Sequence, residues 1–397
     1  MRDTEVAIIG GGLAGSTAAA MLGRAGITTV VVDPHTTYPP DLRCEKLGGD
    51  QIDILRRTGL ADAILRATTH DRHVWVARFG RLVQKRPSDQ YGIMYDTLVN
   101  TMRAQIPPTV EVIADRATAL STSADRQTVT LGSGETISAR LVVLASGLSV
   151  ALRDTIGLTR EVTSPCHSIT IAFDLAPKNH SAFGFPALTY YPERASDRMA
   201  YFTLFPIGEA MHVNLMVYRA MDDPWLRQMR HAPEAALHAL MPRLRRITGE
   251  IAVTGPVKIR PADLYVTHGH RQPGVVLVGD AFATSCPAAG TGTDKVFTDV
   301  ERLCNVHIPD WLATPGMGAD KIAALYDDTV KTACDAWSTA KAHHLRSLST
   351  DTALRWRAGR WARFLVRLTQ GQLARLRTPR AVVAGAAGEP PQQGRVA

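Results

Sequence analysis

The chain has 397 residues, 45% hydrophobic content and a formal charge of +8. That length excludes a small disulfide- or metal-stapled module and suits one large or two intertwined domains. No run approaches the ~18 apolar residues that span a bilayer, and MRDTEVAIIG at the start lacks the features of a secretory signal, so a cytoplasmic location is expected.

Glu5-Val6-Ala7-Ile8-Ile9 reads as a buried strand. Gly10-Gly11-Gly12-Leu13-Ala14-Gly15 follows at once, then a helix from Ser16 to Leu22, then a strand from Thr28 to Val32 closed by Asp33. This is G-x-G-x-x-G in its strand–turn–helix context, with an acid ending the next strand: a dinucleotide-binding pattern. Gly10 permits the tight turn, Gly12 lets the backbone approach a pyrophosphate, and Gly15 lets the helix pack close to the strand. The helix start, with Gly11, Leu13 and Ala14 around it, offers free N–H groups and a positive dipole end to phosphates. Asp33 is placed to accept hydrogen bonds from ribose hydroxyls. The motif alone leaves FAD and NAD open.

Further on, Arg43-Cys44-Glu45-Lys46-Leu47 leads an amphipathic helix, Ile52 to Arg57, that ends at Thr58-Gly59-Leu60. Leu141 to Ala145 is a strand running into Ser146-Gly147, with Arg153 beyond. Residues 166–218 alternate in strand fashion and predict a mostly antiparallel sheet; residues 232–248 read as helical. Alternation gives that sheet two faces without naming the inner one. Phe183, Phe185, Tyr190, Tyr201 and His167 are candidates for an apolar pocket. Gly274 to Val278 is another buried strand. It runs into Gly279-Asp280-Ala281, a loop through Pro287, Gly290, Thr291, Gly292 and Thr293, and a helix ending near Leu303. An acid at a strand end can bind ribitol or ribose hydroxyls, and a helix start can stabilise charge on a ring oxygen.

Residues 341–380 hold ten Lys/Arg and one acid, so the rest of the chain is near neutral. A nucleic-acid-binding body is therefore not expected. Leu354, Ala358, Trp361, Phe364, Leu365 and Leu368 recur at helical steps within 351–377, with Arg360, Arg363 and Arg367 off that face. The preferred reading lays this helix across the body with its arginines in water. The other is a peripheral membrane or acidic-partner contact. Residues 381–397 read as a disordered tail. The five scattered cysteines, with no C-x-x-C pair, predict neither a disulfide framework nor a metal site.

Gly279-Asp280-Ala281, Pro287, Gly290-x-Gly292, Asp299 and Leu303 together resemble the second FAD-binding motif of class A flavoprotein monooxygenases. Flavin-dependent halogenases and geranylgeranyl reductases share that fold. The resemblance implies an α/β architecture: a Rossmann-like FAD-binding domain interleaved with a mostly antiparallel β-sheet substrate domain, plus a C-terminal helical segment. The FAD domain takes residues 1–70, 95–165 and 259–340. The substrate domain takes 71–94 and 166–258, and the basic C-terminal helices take 341–380.

By the same resemblance, Asp280 contacts the ribitol–pyrophosphate region, Pro287 lies beside the isoalloxazine, and Gly290 to Thr293 reach its pyrimidine edge. Arg43 binds FAD phosphate, with Glu45 and Lys46 as neighbours of the flavin. Ser146-Gly147 occupy the family's Asp-Gly motif, and Ala117 joins the cofactor-binding set; Tyr95 stands where the family often has a polar FAD ligand. Three positions depart from the pattern: Ser146 replaces an Asp linked to FAD and NADPH handling, Val150 a Ser, and Asp294 an Asn. Electrons come from NAD(P)H or from a separate flavin reductase acting as partner.

The implied activity is hydroxylation of a small, secondary-metabolite-like organic substrate through a flavin C4a-hydroperoxide. Reduction of an alkene ranks second. Halogenation ranks third, because Tyr201 to Gly208 lacks the W-x-W-x-I-P of halogenases. A flavin-binding interaction protein is the non-enzymatic alternative. No residue is assigned as catalytic.

Overall fold

The computed structural model describes residues 1–377 and contains two sheets. The first is built on β1 (Arg2–Ile9), which pairs in parallel with β2 (Thr29–Val32) and with β9 (Thr136–Leu144). β6 (Glu111–Ile113) lies beyond β2, and β15 (Val275–Leu277) pairs with the end of β9. β7 (Ala117–Ser121) and β8 (Gln127–Leu131) add an antiparallel meander to the first half of β9.

β15 and the C-terminal stretches of β1 (Val6 to Ile9), β2 (Val30 to Val32) and β9 (Leu141 to Leu144) are apolar because both faces are covered. Val6 and Ile8 pack into a core with the alanines of α1 (Leu13–Arg24). Ala7 and Ile9 pack into another with Val142, Leu144 and Leu277. α2 (Gly49–Arg57), α3 (Ala61–Arg66) and α4 (Tyr95–Arg103) continue the first core, as do α9 (Gly292–Arg302), α10 (Ile308–Leu312) and α11 (Ala319–Tyr326). α5 (Ala151–Thr155) lies on the second.

The other sheet has eight strands in the order β14 (Ile251–His268), β10 (Thr159–Pro177), β13 (Ala210–Val217), β12 (Met199–Ile207), β11 (Leu188–Tyr191), β4 (Thr69–Arg78), β5 (Arg81–Gly92) and β3 (Lys46–Gly48). Every pairing is antiparallel except β11 with β4. The sheet takes more chain than the sequence boundaries allot. β3 comes from within 1–70, β10 starts before residue 166, and β14 runs past residue 258.

Here the two faces separate. Ile169, Ile171 and Phe173 of β10, Phe202 and Leu204 of β12, and Val213 and Leu215 of β13 form an outer core. It is closed by α6 (Pro224–His231), α7 (Pro233–Leu240) and α8 (Arg245–Thr248). The residues between them point toward the first sheet.

α12 (Thr329–Thr350) starts at Asp328, whose carboxylate accepts from the Val330 and Lys331 N–H groups. α13 (Leu354–Arg377) departs from the sequence expectation. Phe364 and Leu368 are half-buried, but Leu354, Trp361 and Leu365 face water, as do Val366 and Leu373. Arg360 and Arg367 turn inward instead. Arg360 Nη1 donates to the Leu348 and Asp351 carbonyls, and Arg367 Nη2 to the Tyr191 hydroxyl. The reason is local. The open carbonyls at the end of α12 need donors, which Arg360 supplies. The helix also meets β5 at Gly371, where any side chain would overlap the Val83 carbonyl oxygen. The tail expected at 381–397, and the end of the 341–380 segment, lie outside the described residues.

Candidate active site

At the end of β1 the chain turns at Gly10, with φ +106°. A Cβ there would sit 2.5 Å from the Ala145 carbonyl oxygen, and one on Gly15 would overlap the Gly10 carbonyl oxygen. Only glycine lets the turn, α1 and the end of β9 come this close. Gly12 is different: a Cβ there would meet nothing nearer than a Tyr38 ring atom at 3.9 Å, so its backbone faces open space. No side chain caps α1. Its first-turn N–H groups, those of Leu13 and Ala14 among them, are thus presented to a ligand.

Asp33 closes this cradle from β2. Its Oδ2 accepts the Gly11 N–H at 2.6 Å. Arg103, at the end of α4, lies 2.9 Å from Asp33 Oδ1 and donates to the Gly11 carbonyl at 2.8 Å. Sequence reasoning missed Arg103, which belongs to no motif; its only signal is a basic last turn on an amphipathic helix. Ser146 lies against Gly10, and its Oγ is buried without a hydrogen-bond partner. Gly147 follows at φ +59°. Ala117 begins β7 and packs against the core that holds Val32 and Leu144.

The second cluster opens from β15. Gly279 turns at φ +59° and donates its N–H to Asp299 Oδ2 at 2.9 Å. Arg43 reaches Asp280 at 2.5 Å and Asp41 at 2.7 Å, which joins two segments 237 residues apart. Pro287 opens a short turn, Gly290 takes φ +65°, and α9 starts at Gly292 with no side-chain cap. The Thr291 and Ser338 hydroxyls lie 2.6 Å apart. Gln51 of α2 donates to the Gly290 carbonyl at 2.9 Å and to Asp294 Oδ2 at 2.7 Å. Burial pushes the Asp294 carboxyl up, and the Gln51 bond opposes that.

Beneath this loop, three buried charges and the partly buried Asp335 hold α9 to α12. Lys331 Nζ lies 2.7 Å from Asp299 and 2.9 Å from Asp335, and Lys295 lies 3.1 Å from Asp335.

Both glycine elements face one cavity of about 290 Å³. Leu13, Arg43, Glu45 and Lys46 line it from one side; Asp280, Pro287, Gly290, Gly292 and Thr293 line it from another. Tyr95 also lines it, 5.9 Å from the Arg43 guanidinium. The opposite wall is the inner face of the second sheet, with Thr170, Tyr201, Thr203, Asn214 and Met216. Of the proposed pocket residues only Tyr201 lines this cavity. Tyr190, Phe183 and Phe185 belong to the outer core, and His167 is buried against the Ala342 carbonyl of α12.

At that wall sits a charged cluster that no motif foretold. His212 lies 2.6 Å from Asp174 and 2.9 Å from Glu45 Oε2. Asn214 Nδ2 donates to the same Oε2 at 2.6 Å. Glu45 Oε1 is buried with no partner. Burial works against the His212 charge, but its bonds to Asp174 and Glu45 outweigh it and push the imidazole up to about 9. Lys46 goes the other way: burial lowers its amine to about 8, and its Nζ sits 4.7 Å from the centre of the Phe205 ring.

The residues present fit FAD. Two uncapped helix starts and an arginine line one crevice, and the open Gly12 and the orphaned Ser146 hydroxyl lie beside the first of those starts. Such a pairing of cradles on one sheet, facing the inner wall of a second, defines a flavin-dependent oxidoreductase. The chain belongs to the FAD binding domain family, which matches residues 3–306.

Its relatives are monooxygenases. It is 26% identical over 333 residues to 3-demethoxyubiquinol 3-hydroxylase of Escherichia coli (strain K12), covering 77% of this chain and 80% of that one. It is 27% identical over 249 residues to 3-amino-4-hydroxybenzoate 2-monooxygenase PtnB3 of Streptomyces platensis, covering 59% and 62%. The crystal structure of p-nitrophenol 4-monooxygenase PnpA from Pseudomonas putida DLL-E4 superposes with a TM-score of 0.75 at 17% identity, over 95% of this chain and 97% of that one. That last likeness is one of fold.

Proposed function

We propose that this chain hydroxylates a small aromatic ring carrying a hydroxyl or amino group. One observation carries the reading: Glu45 Oε1 is a buried, unpartnered acceptor in the wall of the cavity that both glycine cradles face. A buried acceptor left unmade costs free energy until a donor arrives. A phenolic O–H or an aryl N–H supplies that donor. The two relatives described above act, by their names, on rings that bear such groups.

When bound, FAD supplies the oxygen activation. The protein does the rest. The α1 start and Arg43 hold phosphate oxygens, and Asp33 and Asp280 hold sugar and ribitol hydroxyls. The free N–H groups at the start of α9, around Thr291 to Thr293, would stabilise negative charge on the flavin. Glu45 takes the proton, or the hydrogen bond, of the substrate hydroxyl at Oε1 and so enriches the aromatic ring. His212 and Asn214 keep Glu45 oriented through Oε2, and Asp174 steadies His212. The second sheet keeps water from the reacting face. Electrons arrive from NAD(P)H or from a flavin reductase partner. With Ser146 in place of the family's Asp, the reductase route is favoured.

The test is product mass after turnover with a panel of phenols and aminophenols and labelled dioxygen. A gain of one labelled oxygen supports hydroxylation. A gain of two hydrogens or of a halogen refutes it in favour of reduction or halogenation.

A further inference from the structure

We propose that α13 docks the enzyme on an anionic phospholipid surface, lying in the interface and not through it. Among the described residues no helix is long and apolar enough to cross a membrane. The 24-residue α13 extends for about 36 Å at the usual rise of an α-helix.

Five large apolar side chains stand out of this helix into water: Leu354, Trp361, Leu365, Val366 and Leu373 are each more than half exposed. At 100° per residue they fall within one sector of the helix, which Ala358 and Ala362 complete. Exposed arginines flank that sector, Arg357 on one side and Arg363 on the other, while Arg355, Thr369 and Gln372 stand within it. The inward side is already taken by Arg360, Phe364, Arg367 and Gly371. Trp361 also touches the body, its ring centre 5.8 Å from that of Phe79, and the strip is otherwise turned to water.

Charge decides what covers it. The helix has seven arginines and no acid. β5, which it crosses, adds exposed Arg81, Lys85 and Arg86. A second copy of the same face would set like charge against like. An apolar strip between arginines is instead the pattern of a helix that sinks its apolar side about 5–10 Å into a headgroup layer while its cations meet lipid phosphates. Trp361 is of the residue type that favours this boundary.

The experiment uses the full-length, flavin-loaded protein and sedimentation with two kinds of vesicle, phosphatidylcholine alone and phosphatidylcholine mixed with phosphatidylglycerol. Binding to the mixed vesicles, weakened by salt and absent with phosphatidylcholine alone, is expected. Tryptophan emission should shift to the blue on binding, and W361S should lose that shift. R355Q/R357Q/R363Q should weaken binding on the order of a hundredfold, roughly fivefold per arginine. W361S/L365S should weaken it at least roughly tenfold through the two lost apolar side chains, with flavin content unchanged. Equal binding to both vesicles, or to neither, overturns the proposal. So does self-association that W361S/L365S abolishes, since the strip then belongs to a second copy.

Discussion

Lys331→Met tests whether the buried charges beneath the second cradle hold it in shape. Lys331 and Asp299 are 2.7 Å apart, with side chains 1% and 2% exposed. Asp299 Oδ2 in turn accepts the Gly279 N–H that sets the turn before Asp280. Methionine fills the space but removes the ammonium. Asp335 keeps Lys295 at 3.1 Å, whereas Asp299 loses its nearest cation. Breaking one side of a buried pair costs about 3–5 kcal/mol. Burial already pushes the Asp299 carboxyl up, and the neighbouring Lys331 is what opposes it. Without that opposition its folded pKa lies further above the unfolded value of about 3.9.

The sign follows from linkage. A raised folded pKa means that the variant's stability is fullest below the unfolded pKa and falls as pH rises through the folded one. Urea unfolding at saturating FAD, from pH 4.5 to 8, should show a deficit that grows with pH. Asp299→Asn added to Lys331→Met should recover part of it, because the amide oxygen still accepts from Gly279 without carrying charge. A deficit under about 1 kcal/mol at pH 7, or one flat across this range, refutes the reasoning.

Glu45→Gln should retain FAD but lower the turnover rate by roughly 10²–10⁴ at neutral pH, the usual worth of a positioned base; stopped-flow substrate oxidation reads this. His212 has a raised pKa, so its contribution to stability is full below its unfolded value of about 6.5 and is lost as pH climbs through about 9. His212→Gln should remove that slope from melting curves taken between pH 6 and 10. Gly12→Ala should leave the melting temperature of FAD-free protein unchanged, since a Cβ there meets nothing within 3.9 Å. It should still weaken FAD retention by roughly tenfold or more, the worth of one hydrogen bond to a charged group. Equilibrium dialysis of the flavin measures it.

The cradles were legible in sequence because each is local. A strand, a glycine turn and a helix start lie within about fifteen residues, and backbone sterics dictate their residue types. The charged wall was not legible. Register pairs Asp174 with His212, and Glu45, before β3, reaches His212 and Asn214 from a segment far away in sequence. Arg103 was hidden because its partners Gly11 and Asp33 are also far away in sequence. Alternation on β10, β12 and β13 named two faces, but only the packing of α6 and α7 shows which is outside. On α13, periodicity identified an apolar stripe. Which side meets the body was settled by Gly371 and Arg360, small and polar residues to which a hydropathy pattern is blind.

The paired strands β10 and β14 leave the nucleotide half at Thr159 and His268 and reach the far edge at Pro177 and Ile251, bending at bulges near Ser164 and Asp174. Two continuous strands, not flexible connectors, thus carry the floor of the reaction chamber. The position of this wall opposite the glycine cradles is therefore inherited from backbone. Side chains such as Thr170 can be exchanged along it while the ribbon holds the chamber's depth.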